Sequence, residues 1–206
     1  MAGGTKRLPR AVREQQMLDA AVKVFAANGY SDASMDAIAA EAKISKPMLY
    51  LYYGSKDELF SACIARESAK FIDAMSIGFN PALSPREQTR TVVREFLKFV
   101  HENAQSWQVL YSVAVGTATF ADLVVQSRRR VIEMVAALIK QGTTVEGATE
   151  VDFELTAVAL VGAGEAVGDR ISHGDVSLET ATDLLVGITW RGLKGVGVHI
   201  DAPAEA

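Results

Sequence analysis

Apolar side chains recur along this chain at the spacing of amphipathic helices, and no useful length alternates with the two-residue period of a strand. The expected class is all-α. From Leu8 to Asn28 the stripe Leu18, Ala21, Val22, Phe25 and Ala26 predicts a long first helix, with Gly29 supplying the stop. Met35, Ile38, Ala39 and Ala42 then mark a short helix capped by Ser34, and the pattern halts at Lys43-Ile44. Ser45 is positioned to cap a third helix with Pro47 in its first turn, where the missing N–H costs little; Gly54 ends it. A helix that short is marginal alone, so its neighbours must hold it in place.

Lys56 to about Gly78 reads as a second long helix, carrying Leu59, Ala62, Cys63, Arg66, Phe71, Ala74 and Met75. It starts beside the short third helix and continues into the rest of the chain, so tilting it would move that helix. Asn80 to Pro85 is a break, after which Ser84, Pro85 and Glu87 supply a cap, a favoured proline and a capping-box glutamate. The helix they open runs to about Asn103. A shorter one covers Ser106 to Val115, and a long clean one covers Thr119 to Lys140. A loop from Gly142 to Glu150 precedes two final helices, about Val151–His173 and Ser177–Val196. The expected organisation is a small N-terminal domain over 1–60 and a larger helical domain over 61–206.

The short third helix has an unusual composition for a core element. Ile44, Leu49 and Tyr53 make an inward edge, while Lys46, Pro47, Met48, Tyr50 and Tyr52 point outward or sideways. A cation and phenols suit phosphates, and apolar groups suit thymine methyls, so the pair of short helices reads as a helix-turn-helix with Lys46–Tyr52 in the major groove. An ordinary helical hairpin with exposed tyrosines is the alternative.

Four segments in order carry a resemblance. They are Val24-Phe25-Ala26-Ala27-Asn28-Gly29-Tyr30, Ser34-Met35-Asp36-Ala37-Ile38-Ala39, Ile44-Ser45-Lys46-Pro47-Met48-Leu49-Tyr50, and Tyr53-Gly54-Ser55-Lys56-Asp57-Glu58-Leu59-Phe60. With them, residues 12–60 resemble the N-terminal domain of the TetR family of bacterial transcriptional regulators. One departure is Tyr52, where the family often has a histidine before the closing aromatic. The resemblance implies a homodimeric, ligand-responsive repressor of a palindromic DNA operator. Ser34, Ser45, Lys46, Tyr50, Tyr52 and Lys56 would contact phosphates, and Pro47 and Met48 would touch base edges. It also implies that the last two helices pair with their copies in a second subunit.

The glycine- and alanine-rich texture of those helices bears on this. Ala157, Gly164 and Gly168, with Leu185 and Ile188, are the expected dimer contacts, because small residues permit close helix approach. A tight contact within one chain is the alternative.

The resemblance further implies an effector pocket in the second domain. Phe96, Phe99, Val100, Trp107, Leu110, Tyr111, Phe120, Val124, Met134 and Leu138 are its candidate lining, suited to an apolar, lipid-like molecule such as a fatty-acyl compound or acyl-CoA. Each could equally be plain core. His101, Glu165 and Asp169 are candidate polar anchors. The run Arg128-Arg129-Arg130 is either a solvated face or a clamp for a phosphate-bearing ligand.

Composition narrows the choice further. With 206 residues, 49% of them hydrophobic, the chain can bury a sizeable core. There is no membrane-length apolar run and no signal-peptide pattern at the start, and Cys63 stands alone, so a reducing cytoplasm is the expected home. The net charge of −4 conceals an asymmetry: residues 1–60 carry eight basic and seven acidic groups, the remainder thirteen and eighteen. Lys6, Arg7, Arg10 and Arg13 form a basic arm, either a DNA contact or simply a charged start. No catalytic motif, cofactor loop or metal-ligand spacing is present among the three histidines and single cysteine, so neither an enzyme nor a metal or cofactor is expected. A helical small-molecule-binding protein with a vestigial DNA head is the rival reading.

Overall fold

The computed structural model describes residues 9–80, 82–113, 118–142 and 149–195, and all their regular elements are helical. Lys6 and Arg7 of the basic arm, and His199, lie outside the described residues, as do 143–148 of the expected loop. Nine α-helices are described: α1 (Arg10–Asp32), α2 (Met35–Glu41), α3 (Lys46–Tyr52), α4 (Lys56–Ile77), α5 (Pro85–Glu102), α6 (Ala104–Gln108), α7 (Ala121–Gly142), α8 (Glu150–Ser172) and α9 (Leu178–Gly195).

Local chemistry sets most of the boundaries. In α1 the helical geometry breaks at Gly29, whose φ of 73° is costly for any residue with a Cβ. The Ser34 hydroxyl accepts the Ala37 N–H at 3.1 Å to cap α2, and Ser55 does the same for Glu58 at 3.1 Å at the head of α4. At the start of α5, Ser84 and Glu87 complete the expected capping box. The end of α2 is a Schellman turn: Ile44 N–H donates to the Ala39 carbonyl and Lys43 N–H to that of Ala40, with Lys43 left-handed at φ 54°.

One continuous apolar core runs from Met17 in α1 to Leu185 in α9. Phe25, Ile38, Leu49 and Phe60 are fully buried beneath the first three helices, each contributing roughly 1.5–3 kcal/mol by leaving water. The boundary expected at residue 60 therefore falls inside unbroken α4. In the body, α7 packs along α8 and α5 along α9.

The expected single helix over Ser106–Val115 is instead α6 followed by a π-helical turn, Val109–Val113. That turn brings Tyr111 onto Trp107, ring centroids 3.8 Å apart and stacked. A short 3₁₀ turn, Ala118–Phe120, then leads into α7. Phe120 inserts against Tyr30 and Phe60 at 5.0 and 4.7 Å, joining the body to the first helices.

Candidate functional site

The first candidate surface is α3. Only Leu49 of this helix is buried, and it anchors the element to the core. Lys46, Pro47, Tyr50 and Leu51 are exposed along one side. Tyr50 is 43% and Leu51 82% exposed, a large apolar investment in solvent for a helix of two turns. Leu51 was not among the residues expected here; its signal is the i, i+4 spacing from Pro47. Ser45 begins α3 without a side-chain cap bond, leaving its hydroxyl available.

Electrostatics on this face are mixed. Lys46 Nζ lies 2.7 Å from Asp36 Oδ2, and that bond raises the lysine pKa and keeps the ammonium charged. The Arg10 guanidinium sits 5.4 Å from the Tyr52 ring centre, so the first helical residue of the basic stretch lies beside α3. Met48 is half-buried, its sulfur 3.6 Å from Arg13 Nη1.

Lys56 requires correction. Its ammonium donates to the carbonyls of Tyr30, Ser31 and Ala33 at 2.9, 3.2 and 3.1 Å and lies 4.5 Å from the Tyr30 ring centre. All three N–H donors are thus engaged in closing the α1–α2 corner, and none is left for a phosphate. Tyr30 in turn donates to Asp57, and burial, reinforced by this contact, pushes its phenol up to about 12.

The second candidate is a cavity of about 270 Å³ in the body, walled by α4, α5, α7, α8 and α9. Phe96, Tyr111 and Leu138 line it as expected. The other candidate lining residues do not. Phe99, Val100, Trp107, Leu110 and Phe120 are buried in the core proper, and Val124 and Met134 pack on its outside. Instead Phe71, Met75, Val92, Val131, Val135 and Leu160 complete the wall. Helical spacing identifies apolar positions but does not separate those facing space from those facing atoms.

Among the described residues Glu165 is the sole charged one lining the cavity, and Arg128 grips both its oxygens, Nε–Oε1 at 2.8 Å and Nη2–Oε2 at 2.9 Å. Arg128 is therefore paired rather than an open phosphate clamp, although its side chain remains 41% exposed, and Arg129 is exposed, 3.5 Å from Glu133. His101 lies in a separate surface groove beside Arg94 and Lys98, and Asp169 is exposed beside His173; neither lines the cavity. Burial, reinforced by Glu165, raises the pKa of the Tyr111 phenol, which stays protonated at neutral pH.

The expected dimer contacts also change. Ala157, Gly164, Gly168 and Leu185 are buried within the single chain. A Cβ on Gly168 would lie 3.1 Å from the Trp107 ring and 3.3 Å from Phe96, and one on Gly164 would lie 3.4 Å from Phe96. Gly164 and Gly168 admit aromatic rings of the same chain, leaving no room at those two positions for a second copy. Ile188 alone of the five is exposed. Beyond it, Val151, Leu155 and Val158 on α8 and Leu184 on α9 are exposed apolar side chains at helical spacing.

Comparison with known proteins supplies the wider context. Residues 17–63 match a family described as bacterial regulatory proteins, tetR family, and residues 85–192 match the tetracyclin repressor-like C-terminal domain. A solved TetR-like transcriptional regulator from Rhodococcus sp. RHA1 is 56% identical, covers 92% of this chain and all of its own, and superposes with a TM-score of 0.80. The HTH-type transcriptional activator FasR of Mycolicibacterium smegmatis is 34% identical over 113 residues, or 53% of this chain; the match spans about half of that protein (52%). The FadR regulator of Bacillus subtilis, solved in complex with stearoyl-CoA, shares the fold at 16% identity, with 85% of this chain and 96% of its own covered and a TM-score of 0.74. Among the described residues no helix is long and apolar enough to cross a membrane.

Proposed function

The chain belongs to the TetR family of bacterial transcriptional regulators, and from that premise we propose that it is a homodimeric repressor whose hold on a palindromic operator is released by an apolar effector. The exposed face of α3 carries this reading. Lys46, Tyr50 and Leu51 project from a helix that Leu49 fixes to the core, and a solvent-facing leucine beside a cation and a phenol is suited to base edges flanked by phosphates. Ser34, Ser45 and Tyr52 add hydroxyls at the margins, and Arg10 adds charge. Residues 1–60 act as the DNA head and 61–206 as the effector and dimerisation body.

Two copies joined through the exposed apolar residues of α8 and α9 would present two such faces about one helical turn of DNA apart, roughly 34–36 Å. The cavity receives the effector. Its apolar wall suits a lipid-like or acyl compound, and the stearoyl-CoA held by the FadR relative points the same way. Binding there favours a conformer whose heads no longer match the operator, to the extent that the effector prefers that conformer.

Tyr50→Ala is the direct test. It removes an exposed side chain without touching the core, so the dimer persists while operator affinity in a gel-shift titration falls by roughly tenfold. Unchanged affinity would remove α3 from the interface. Wild-type binding should also weaken steeply with salt; a flat response belongs to a small-molecule-binding protein with a vestigial head. A reporter whose output falls when the gene is deleted would replace repression by activation, the role borne by FasR.

A further inference from the structure

The cavity holds a polar locus that its apolar wall does not require. Tyr111 and Glu165 both line it, on the π-helical turn and on α8. Tyr111 is locked by stacking on Trp107 at 3.8 Å with 22° between the planes. Its hydroxyl makes no hydrogen bond to a described residue, although burial dominates its surroundings. A phenol so placed, partly buried on the cavity wall, is free to donate to a molecule held there.

The neighbouring charges decide what kind of acceptor fits. Glu165 is satisfied on both oxygens by Arg128, a bidentate pair that leaves the locus with no net charge. A ligand carboxylate would set a second negative group beside Glu165, in a partly buried place where only one guanidinium is available and already occupied. With that guanidinium committed to Glu165, the charge of a buried ligand anion goes uncompensated and binding weakens. An uncharged carbonyl meets no such opposition, and its oxygen accepts directly from the phenol.

Resting on the effector-cavity reading above, we propose that the effector is an apolar chain bearing one uncharged acyl carbonyl (an ester or a thioester), that Tyr111 donates a hydrogen bond to that carbonyl, and that Glu165 rejects the corresponding free acid. Tyr111 is the binding contact. Glu165 determines specificity by engaging Arg128, which would otherwise favour an anion.

The test uses the full-length protein and probes of equal chain length: methyl decanoate, the N-acetylcysteamine thioester of decanoic acid, sodium decanoate and decane. Binding is followed by tryptophan fluorescence, since Trp190 lines the cavity and Trp107 stacks on Tyr111. The ester and thioester bind at least roughly tenfold more tightly than decanoate. A gap between ester and thioester identifies which of the two the site was built for. Tyr111→Phe weakens both carbonyl probes by roughly five- to tenfold and leaves decane unchanged. Glu165→Gln raises decanoate affinity towards that of the ester, because the freed Arg128 now favours the anion. Thermal melts of both variants verify that they fold.

Decanoate binding as tightly as the ester in the wild type overturns the proposal. So does a Tyr111→Phe variant that loses decane affinity as much as ester affinity, or a protein that binds none of the probes. If the probes bind in the expected order but the protein stays on its operator DNA, the ligand class stands and the release mechanism falls.

Discussion

Lys56 shows how one side chain can be misread from its neighbours in sequence. A lysine just beyond a DNA-reading helix suggests a phosphate contact, yet its ammonium is consumed by three backbone carbonyls at the end of α1. It acts as a cap for a helix whose own geometry fails at Gly29. Lys56→Met should therefore lower stability by about 2 kcal/mol, the worth of losing hydrogen bonds to a charged donor. At temperatures where the variant is folded, its operator affinity and salt slope should match wild type. A melt paired with salt-dependent gel shifts checks both, and a flattened salt slope would restore Lys56 to the DNA surface. By contrast Ser34, Ser55 and Ser84 act as their local sequence demands, because a cap is decided within four residues.

Between elements, the contact of α4 with α1 is held by a small ionic network. Arg66 Nε lies 2.6 Å from Glu67, and its Nη1 lies 2.7 Å from Asp19 on α1. Glu67 is fully buried, its other oxygen without a hydrogen-bond partner, and Lys70 is 3.3 Å from the one that is engaged. Breaking such a pair on one side strands the other. Arg66→Ala should cost about 3–5 kcal/mol in urea unfolding, and adding Glu67→Leu should recover much of that loss. A double variant no more stable than the single one would show that the carboxylate contributes something other than charge balance.

The glycines of α8 teach a related lesson at this scale. Their spacing announces a close approach, but a sequence does not say which partner approaches. The structure fills the space above Gly164 and Gly168 with Phe96 and Trp107 of the same chain. The cavity was legible in the same partial way. An apolar, aromatic body was evident from the pattern, while the division between wall and core depends on how α4 through α9 are rotated about their axes. Phe99 and Phe96 differ by less than a turn, yet only Phe96 lines the space.

For the whole molecule, the order of helices and the position of the helix-turn-helix were readable except around Ser106–Val115, since most starts and stops are written in short-range chemistry. Assembly was not, because residues buried by a second copy and residues buried by the first give the same apolar stripe. Exposure separates them. Leu155 is 62% and Val151 59% exposed, an apolar strip on α8 that monomeric surfaces seldom keep contiguous. Leu155→Glu should convert the dimer to a monomer in sedimentation, leave the melting of the single chain almost unchanged, and abolish tight operator binding by separating the two heads. A dimer that survives this change would place the interface elsewhere.

Phe120 lies in the cleft between Tyr30 and Phe60, so the reading head and the body share a wall of aromatic rings. A head transplanted onto a foreign body would arrive with that socket empty. Engineers who exchange operator specificity among such regulators would do well to move the plug together with its cleft, and chimaeras that omit it should melt early however well their grafted helix fits DNA.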